Sequence, residues 1–144
     1  MITKAQWEQI THFMKGLYNQ IEFELDGRRV TVTKSLLTEN KLAYVVYIDQ
    51  KVSPGMGYQD MKNFDPITEK VWRRRSKAYY STAEIKEFEK ILGKRAAKKR
   101  FPKLHQSMVW FDPCFNTASS LVSQFKKIPN LVLKTSFAEV AHAA

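Results

Sequence analysis

Apolar side chains in the first half of the chain recur at two spacings, one helical and one extended. Thr3 with Gln6 three positions on makes a capping-box pattern, and Trp7, Ile10, Phe13/Met14 and Leu17 follow at intervals near three and four. That spacing predicts an amphipathic helix from about Lys4 to Leu17. Ile21, Phe23 and Leu25 then alternate with Glu22, Glu24 and Asp26, and Asp26-Gly27 supplies a two-residue hairpin turn. In that register Phe23 faces Val30 and Ile21 faces Val32 on the buried side, while Glu24 lies opposite Arg29 on the wet side. Glu22, Glu24, Arg28 and Arg29 therefore read as a solvated sheet face rather than as paired catalytic carboxylates. Leu42–Ile48, within a third strand Lys41–Asp49, is apolar on both faces, as expected of a strand covered on both sides. Ser53–Tyr58 reads as an exposed loop. Its Gly55 and Gly57 lack the Gly-Lys-Ser/Thr ending of a phosphate cradle, so they serve turn chemistry.

The second half continues with a fourth strand expected over Thr68–Ala78. Ser81-Thr82-Ala83-Glu84 is a second capping box, opening a helix with Ile85, Phe88, Leu92 and Ala96 on its inner stripe. Gly93 weakens that helix and ends or bends it, and Pro102 breaks the chain. Met108–Phe111 is a short apolar strand or extended segment. Asn116 or Thr117 caps a third helix reaching about Lys127, with Ala118, Leu121, Val122 and Phe125 inward, and Ile128-Pro129-Asn130 turns into a last strand, Leu131–Leu133. The elements predict one α+β domain over residues 1–135, a mostly antiparallel sheet of four or five strands with two or three helices packed on one face. Residues 136–144 read as a loosely held tail.

Composition narrows the class without changing this picture. The 144 residues are 44% apolar and 26% charged, ordinary globular values that argue against disorder. No apolar run approaches the ~20 residues of a membrane span, so no membrane partner is expected. The first residues lack the basic-then-apolar layout of a secretory signal. Cys114 is the only cysteine, which leaves no internal disulfide or multi-cysteine metal site and makes the cytoplasm the expected compartment.

Charge changes the picture more. Residues 1–70 hold nine basic and nine acidic side chains, whereas residues 71–144 hold 15 basic and five acidic, so the second half carries the whole net charge of +10. Arg73–Lys103 alone has twelve basic residues against Glu84, Glu87 and Glu89. Such a segment in a neutral frame makes a local field that attracts anions. Strand alternation from Trp72 would put Arg73, Arg75 and Lys77 on one face and Trp72 and Arg74 on the other, with Tyr79 and Tyr80 following. Lys86, Lys90, Lys94 and Lys98 recur every four residues, which predicts one ridge along the next helix. Arg95, Lys99, Arg100 and Lys103 gather at its end. Cations interleaved with aromatic rings suit a surface that tracks a nucleic-acid backbone and stacks bases. A plainer reading stands beside it: acids early and bases late in a helix offset its macrodipole, and a ring beside an arginine is often half-buried packing. Dipole complementation needs only two or three cations, and the segment has many more.

Other chemistry has little support. His12, His105 and His142 are scattered and no HxxxH or HExxH spacing exists, so neither a metal nor another cofactor is expected. Cys114, ahead of the third helix and with His105 the nearest base in sequence, is the one candidate nucleophile. Amid Trp110, Phe111 and Phe115 it reads instead as a small core residue, and no enzyme is expected.

The order of these elements resembles a group of small, functionally undescribed proteins encoded by tailed bacteriophages and prophages. The segments that carry the likeness are Thr3–Glu8, the Leu25-Asp26-Gly27 hairpin, Lys41–Tyr47, the Tyr80–Glu84 helix start with its Lys/Arg-rich helix, Trp110–Pro113 and Leu121–Phe125. The resemblance implies expression in the cytoplasm of a bacterial host and assigns no site residue. The expected function is that of a non-enzymatic nucleic-acid-binding accessory protein. Its phosphate contacts would come from Arg73, Arg74, Arg75, Lys77, Lys86, Lys90, Lys94, Arg95, Lys98, Lys99 and Arg100, with Trp72, Tyr79 and Tyr80 stacking. The alternative is a module that binds an acidic host or defence protein.

Overall fold

The computed structural model of the chain describes residues 1–137. From residue 138 onward the expected tail, with His142, lies outside the described residues. The fold is α+β. Two compact units are distinguishable, one of Met1–Arg73 with Phe111 onward and one of Arg74–Trp110.

The first unit is built on a meander of β1 (Gln20–Leu25), β2 (Arg28–Thr38) and β3 (Lys41–Ile48). Its hairpin has the register that the alternation predicts, Phe23 opposite Val30, Ile21 opposite Val32 and Glu24 opposite Arg29. Asp26 and Gly27 both have positive φ, as the tight two-residue turn requires. Two short strands, β6 (Cys114–Phe115) and β7 (Val132–Leu133), add to the edges and complete an antiparallel sheet in the order β6-β3-β2-β1-β7. The apolar positions of β1 and β2 fall on one face, and Ile21, Phe23, Leu25, Val30 and Val32 are at most 1% exposed. Burial of this kind is worth roughly 1.5–3 kcal/mol per large apolar side chain.

The helices of this unit follow from local signals. Helix α1 (Lys4–Met14) opens with the complete capping box: the Gln6 N–H donates to Thr3 Oγ1 at 3.1 Å, and the Thr3 N–H donates to Gln6 Oε1 at 2.9 Å. It ends a turn earlier than expected, leaving Leu17 47% exposed. Thr117, rather than Asn116, caps the helix Ala118–Phe125, whose four expected inward residues are all buried. Trp7 stacks on Phe23 at 6.1 Å between centroids, and Phe125 meets Phe23 edge-on at 5.5 Å, so both helices deliver aromatic rings to the same strand residue.

Thr68–Val71 is a helical turn, α2, rather than the start of a fourth strand. Asp65-Pro66 is the local cause. The Asp65 side chain accepts the Ile67 N–H at 3.2 Å, and the Asp65 carbonyl accepts from the Thr68 N–H and hydroxyl at 3.0 and 2.7 Å. Proline's fixed φ suits a first helical turn. Thr68 and Val71, three residues apart, are both fully buried, a helical spacing. The strand begins only at Arg73, as β4 (Arg73–Ala78).

The second unit holds most of β4 and β5 (Ser107–Asp112), paired as a two-stranded sheet, and two helices between them, Thr82–Leu92 (α3) and Lys94–Arg100 (α4). The Ala118–Phe125 helix is thus α5, and the chain has five α-helices among the described residues, more than the two or three expected. The Ser81 capping box forms as predicted. Gly93 has φ +82° and ψ 155°, a conformation closed to residues with a Cβ, and it separates the two helices outright. Ala97, not Ala96, is the buried alanine beyond it. A small aromatic cluster fills this unit, with Phe88 stacked on Phe101 at 4.5 Å and Tyr80 edge-on to both at 5.8 Å.

Arg28 ties the end of the first hairpin to two other segments. Its guanidinium bonds Asp49, just past β3, at 2.5 Å and grips Asp65 through two nitrogens at 2.7 and 3.3 Å. These hydrogen bonds hold the Asp49 and Asp65 carboxyls below the ordinary carboxylate range, with the Arg29 N–H assisting at Asp49 and the Ile67 N–H at Asp65. A folded-state pKa lower than the unfolded one contributes stability that is complete above the unfolded value, about 4, and is lost as pH falls through the folded value. Replacing Arg28 with Met is therefore expected to cost about 1–2 kcal/mol at neutral pH. It should also flatten the loss of stability below about pH 4, as read from urea midpoints across an acid series.

Candidate nucleic-acid interface

The division into units is also a division of charge. Arg74–Trp110 carries eleven Lys/Arg against three Glu, a net +8 of the chain's +10, in 37 residues. Five acids of the first unit are paired within it: Arg28 pairs with Asp49 and Asp65, Arg29 with Glu22, Lys70 with Asp26 and Lys134 with Glu24. Among the described residues, none of Arg74, Lys77, Lys86, Lys90, Lys94, Arg95, Lys98, Lys99 and Arg100 is paired with a carboxylate, and all nine are exposed.

The break at Gly93 rearranges the expected lysine ridge. Lys86 and Lys90 stand on α3 and Lys94 and Lys98 on α4, so the four do not form one row along one helix. On α3 the lysines share the helix with Glu84, Glu87 and Glu89. Helix α4 is different. Its seven residues include five cations and no acid. At ~100° per residue, Lys94, Arg95, Lys98 and Lys99 span an arc of about 140° pointing away from the buried Ala97.

Dipole complementation explains α3, which has Glu84 in its first turn and Lys90 in its last. In α4 it accounts for Lys98, Lys99 and Arg100 in the last turn but not for the cations of the first. Lys94 and Arg95 occupy the first turn of α4, where the helix dipole already presents positive charge. The pairs Lys94–Lys98 and Arg95–Lys99 place like charges four residues apart, which adds repulsion. The helix carries an electrostatic cost that an external anion would relieve.

The aromatic residues expected to stack on bases mostly have other duties. Trp72 precedes β4, is 0% exposed, and donates its indole Nε1–H to the Val46 carbonyl at 3.0 Å. Its own carbonyl accepts the Gln124 side-chain amide at 2.7 Å. It is a core residue of the first unit and offers no face to a base. Tyr80 is committed edge-on to Phe88 and Phe101. Tyr79 alone remains substantially exposed, at 42%, and Lys103 lies over its ring at 4.9 Å from the centroid. Arg75 lies over the Trp110 ring at 5.5 Å, a pairing between β4 and β5 that the sequence order did not reveal. Arg73 is half-buried and belongs with Trp72 to the first unit.

Cys114 sits half-buried in β6. Burial, with the Asp112 carboxylate beside it, pushes its thiol above the ordinary value, and its N–H donates to Asp112 Oδ1 at 2.9 Å. The thiolate is thereby disfavoured at neutral pH, the opposite of an activated nucleophile. No group of three or more His, Cys, Asp or Glu among the described residues is placed to hold a metal ion. Among the same residues no helix is long and apolar enough to cross a membrane.

Because the Trp72 indole fills the core and donates there, Trp72→Phe should leave the buried Val46 carbonyl without its donor and open a void. Stability should fall by about 2–4 kcal/mol. In the folded variant, nucleic-acid affinity measured by fluorescence anisotropy should not change. A loss of affinity without a loss of stability would restore Trp72 to the interface. No known protein family, curated protein or solved structure matches this chain.

Proposed function

We propose that the Arg74–Trp110 unit grips the phosphate backbone of a nucleic acid, chiefly through the cations of α4 and the exposed Arg74 and Lys77 of β4. The observation that carries this reading is α4 itself, a short helix with positive charge at both ends and along one arc, unrelieved by any acid of its own. A phosphate chain supplies regularly spaced anions against such an arc, and counterion release makes the contact favourable without base recognition. With Trp72 and Tyr80 engaged in packing, stacking has at most a small part. Contacts to phosphate position a protein but carry no sequence information, so binding across many sequences is the consistent expectation. The protein is non-enzymatic in this reading, and the phage resemblance would put it in an infected bacterial cell.

One observation favours the second reading, an acidic protein partner. Ile91 is 71% exposed between Lys90 and Lys94, and Met108 is 37% exposed on β5. Apolar side chains among cations suit a protein surface better than a sugar–phosphate chain. A partner retained in a pull-down after nuclease treatment would favour this reading over the first.

Exchanging Arg74, Lys77, Lys98 and Lys99 together for Gln tests the primary reading. Affinity for DNA and RNA of unrelated sequences should fall together. The slope of log K against log salt should flatten by about 0.9 on duplex or 0.7 on single strands for each phosphate that the variant no longer neutralises. A variant with an unchanged circular dichroism spectrum and unchanged binding would refute the assignment.

A further inference from the structure

The outer face of the β1–β2–β3 meander in the first unit is hollowed into an open depression of about 560 Å³. Its lining is uncharged except for Glu22 and Arg29, which pair with each other, so the surface carries no net charge. Thr33 at 8% exposure lies deepest, with the Thr31 and Ser35 hydroxyls beside it on β2. Gln20 and Gln50 add side-chain amides, and Tyr18 and Tyr47 add rings. Among the described residues, the side chains of Gln20, Thr31, Thr33 and Gln50 hydrogen-bond to no other group of the protein, so their donors and acceptors are open to a ligand.

Backbone strain converges on the same place. Four non-glycine residues among those described have positive φ: Tyr18, Asp26, Asp49 and Gln50. Aspartate tolerates the left-handed region through local hydrogen bonds; tyrosine and glutamine do not. Both intolerant residues line the depression. Tyr18, φ +64°, is the third residue of a turn closed by the Asn19 N–H on the Gly16 carbonyl, a position that favours glycine or asparagine. It is nonetheless a tyrosine, 59% exposed, and so not held there by core packing. Gln50, φ +64°, is the second centre of the two-residue turn between Ile48 and Lys51, where glycine is the preferred residue. Strain kept at two turns where a commoner residue would remove it points to side chains retained for what they touch.

From this geometry we propose that the depression binds a neutral oligosaccharide. Saccharides offer apolar C–H faces to exposed tyrosine rings. Their adjacent hydroxyl pairs match planar groups with two polar atoms, such as the Gln20 and Gln50 amides. The absence of net charge disfavours a polyanion here, so this site is independent of the basic unit and of the function proposed for it.

The test uses the full chain on an array of immobilised neutral glucans, galactans, mannans and N-acetylglucosamine oligomers, with sulfated oligosaccharides and mononucleosides as controls. The best neutral ligand is then taken to titration calorimetry with Tyr18→Asn and Gln50→Gly. Binding of at least one neutral oligosaccharide is expected, insensitive to salt. Each variant should lose about tenfold or more in affinity while its thermal midpoint stays level or rises, because the turn strain is relieved. Three outcomes would overturn the proposal: no neutral sugar bound, or binding confined to the sulfated or nucleoside controls; affinity unaltered in both variants; or a lowered midpoint, which would show that Tyr18 or Gln50 serves the fold.

Discussion

Burying an indole obliges its N–H to find an acceptor inside the protein, because an unpaired buried donor costs more than the hydrogen bond gains. At Trp72 the acceptor is the Val46 carbonyl in β3, and the Gln124 amide of α5 closes on the carbonyls of Trp72 and Lys70. One residue, through its indole N–H and its backbone carbonyl, thus joins the central meander, the end of α2 and α5. The same packing leaves no room at Gly57, where an added Cβ would run into the Phe111 carbonyl and the Trp72 ring. The charge-balanced stretch of residues 1–70 ends just before this anchor, and three consecutive arginines begin at the next residue.

What lies beyond that anchor is organised by a single glycine. Had the residues from Thr82 to Arg100 formed one helix, its acids would stand early and its cations late, and the macrodipole would account for both. Gly93 makes two helices of it. The first keeps its acids and is electrostatically ordinary. The second inherits cations only, including two in the turn where its own dipole opposes them. Two lysines on α3 and three on α4 therefore carry different physical meanings on the two sides of one residue, and only the far side holds repulsion that an external anion would relieve.

The two candidate surfaces differ in the kind of cost the protein bears. On α4 the cost is Coulombic and would be relieved by counter-charge. On the outer sheet face it is conformational, held at Tyr18 and Gln50 beside a depression whose two charges cancel. Repulsion among exposed cations is screened by salt, whereas backbone strain is not. The two surfaces are therefore separable in one protein by ionic strength alone.

The order of amino acids was enough to specify the elements whose signals are local: both capping boxes, the Asp26-Gly27 hairpin with its register, and the inward face of α5. It also located the basic segment, because charge is a property of composition. Where two local codes competed, neighbouring structure chose between them. Thr68–Val71 fits a strand or a helical turn equally well, and the Asp65-Pro66 hydrogen bonds selected the turn. Trp72 beside three arginines has the composition of a stacking platform, and its burial against Val46 removed it from that role. The lysines at four-residue spacing promised a ridge that depended on helix continuity, which the Gly93 backbone denied. The depression of the outer sheet face left no trace in the pattern at all. Its lining is the ordinary polar half of an alternating strand, and only the folding of two distant turns onto that face made it concave.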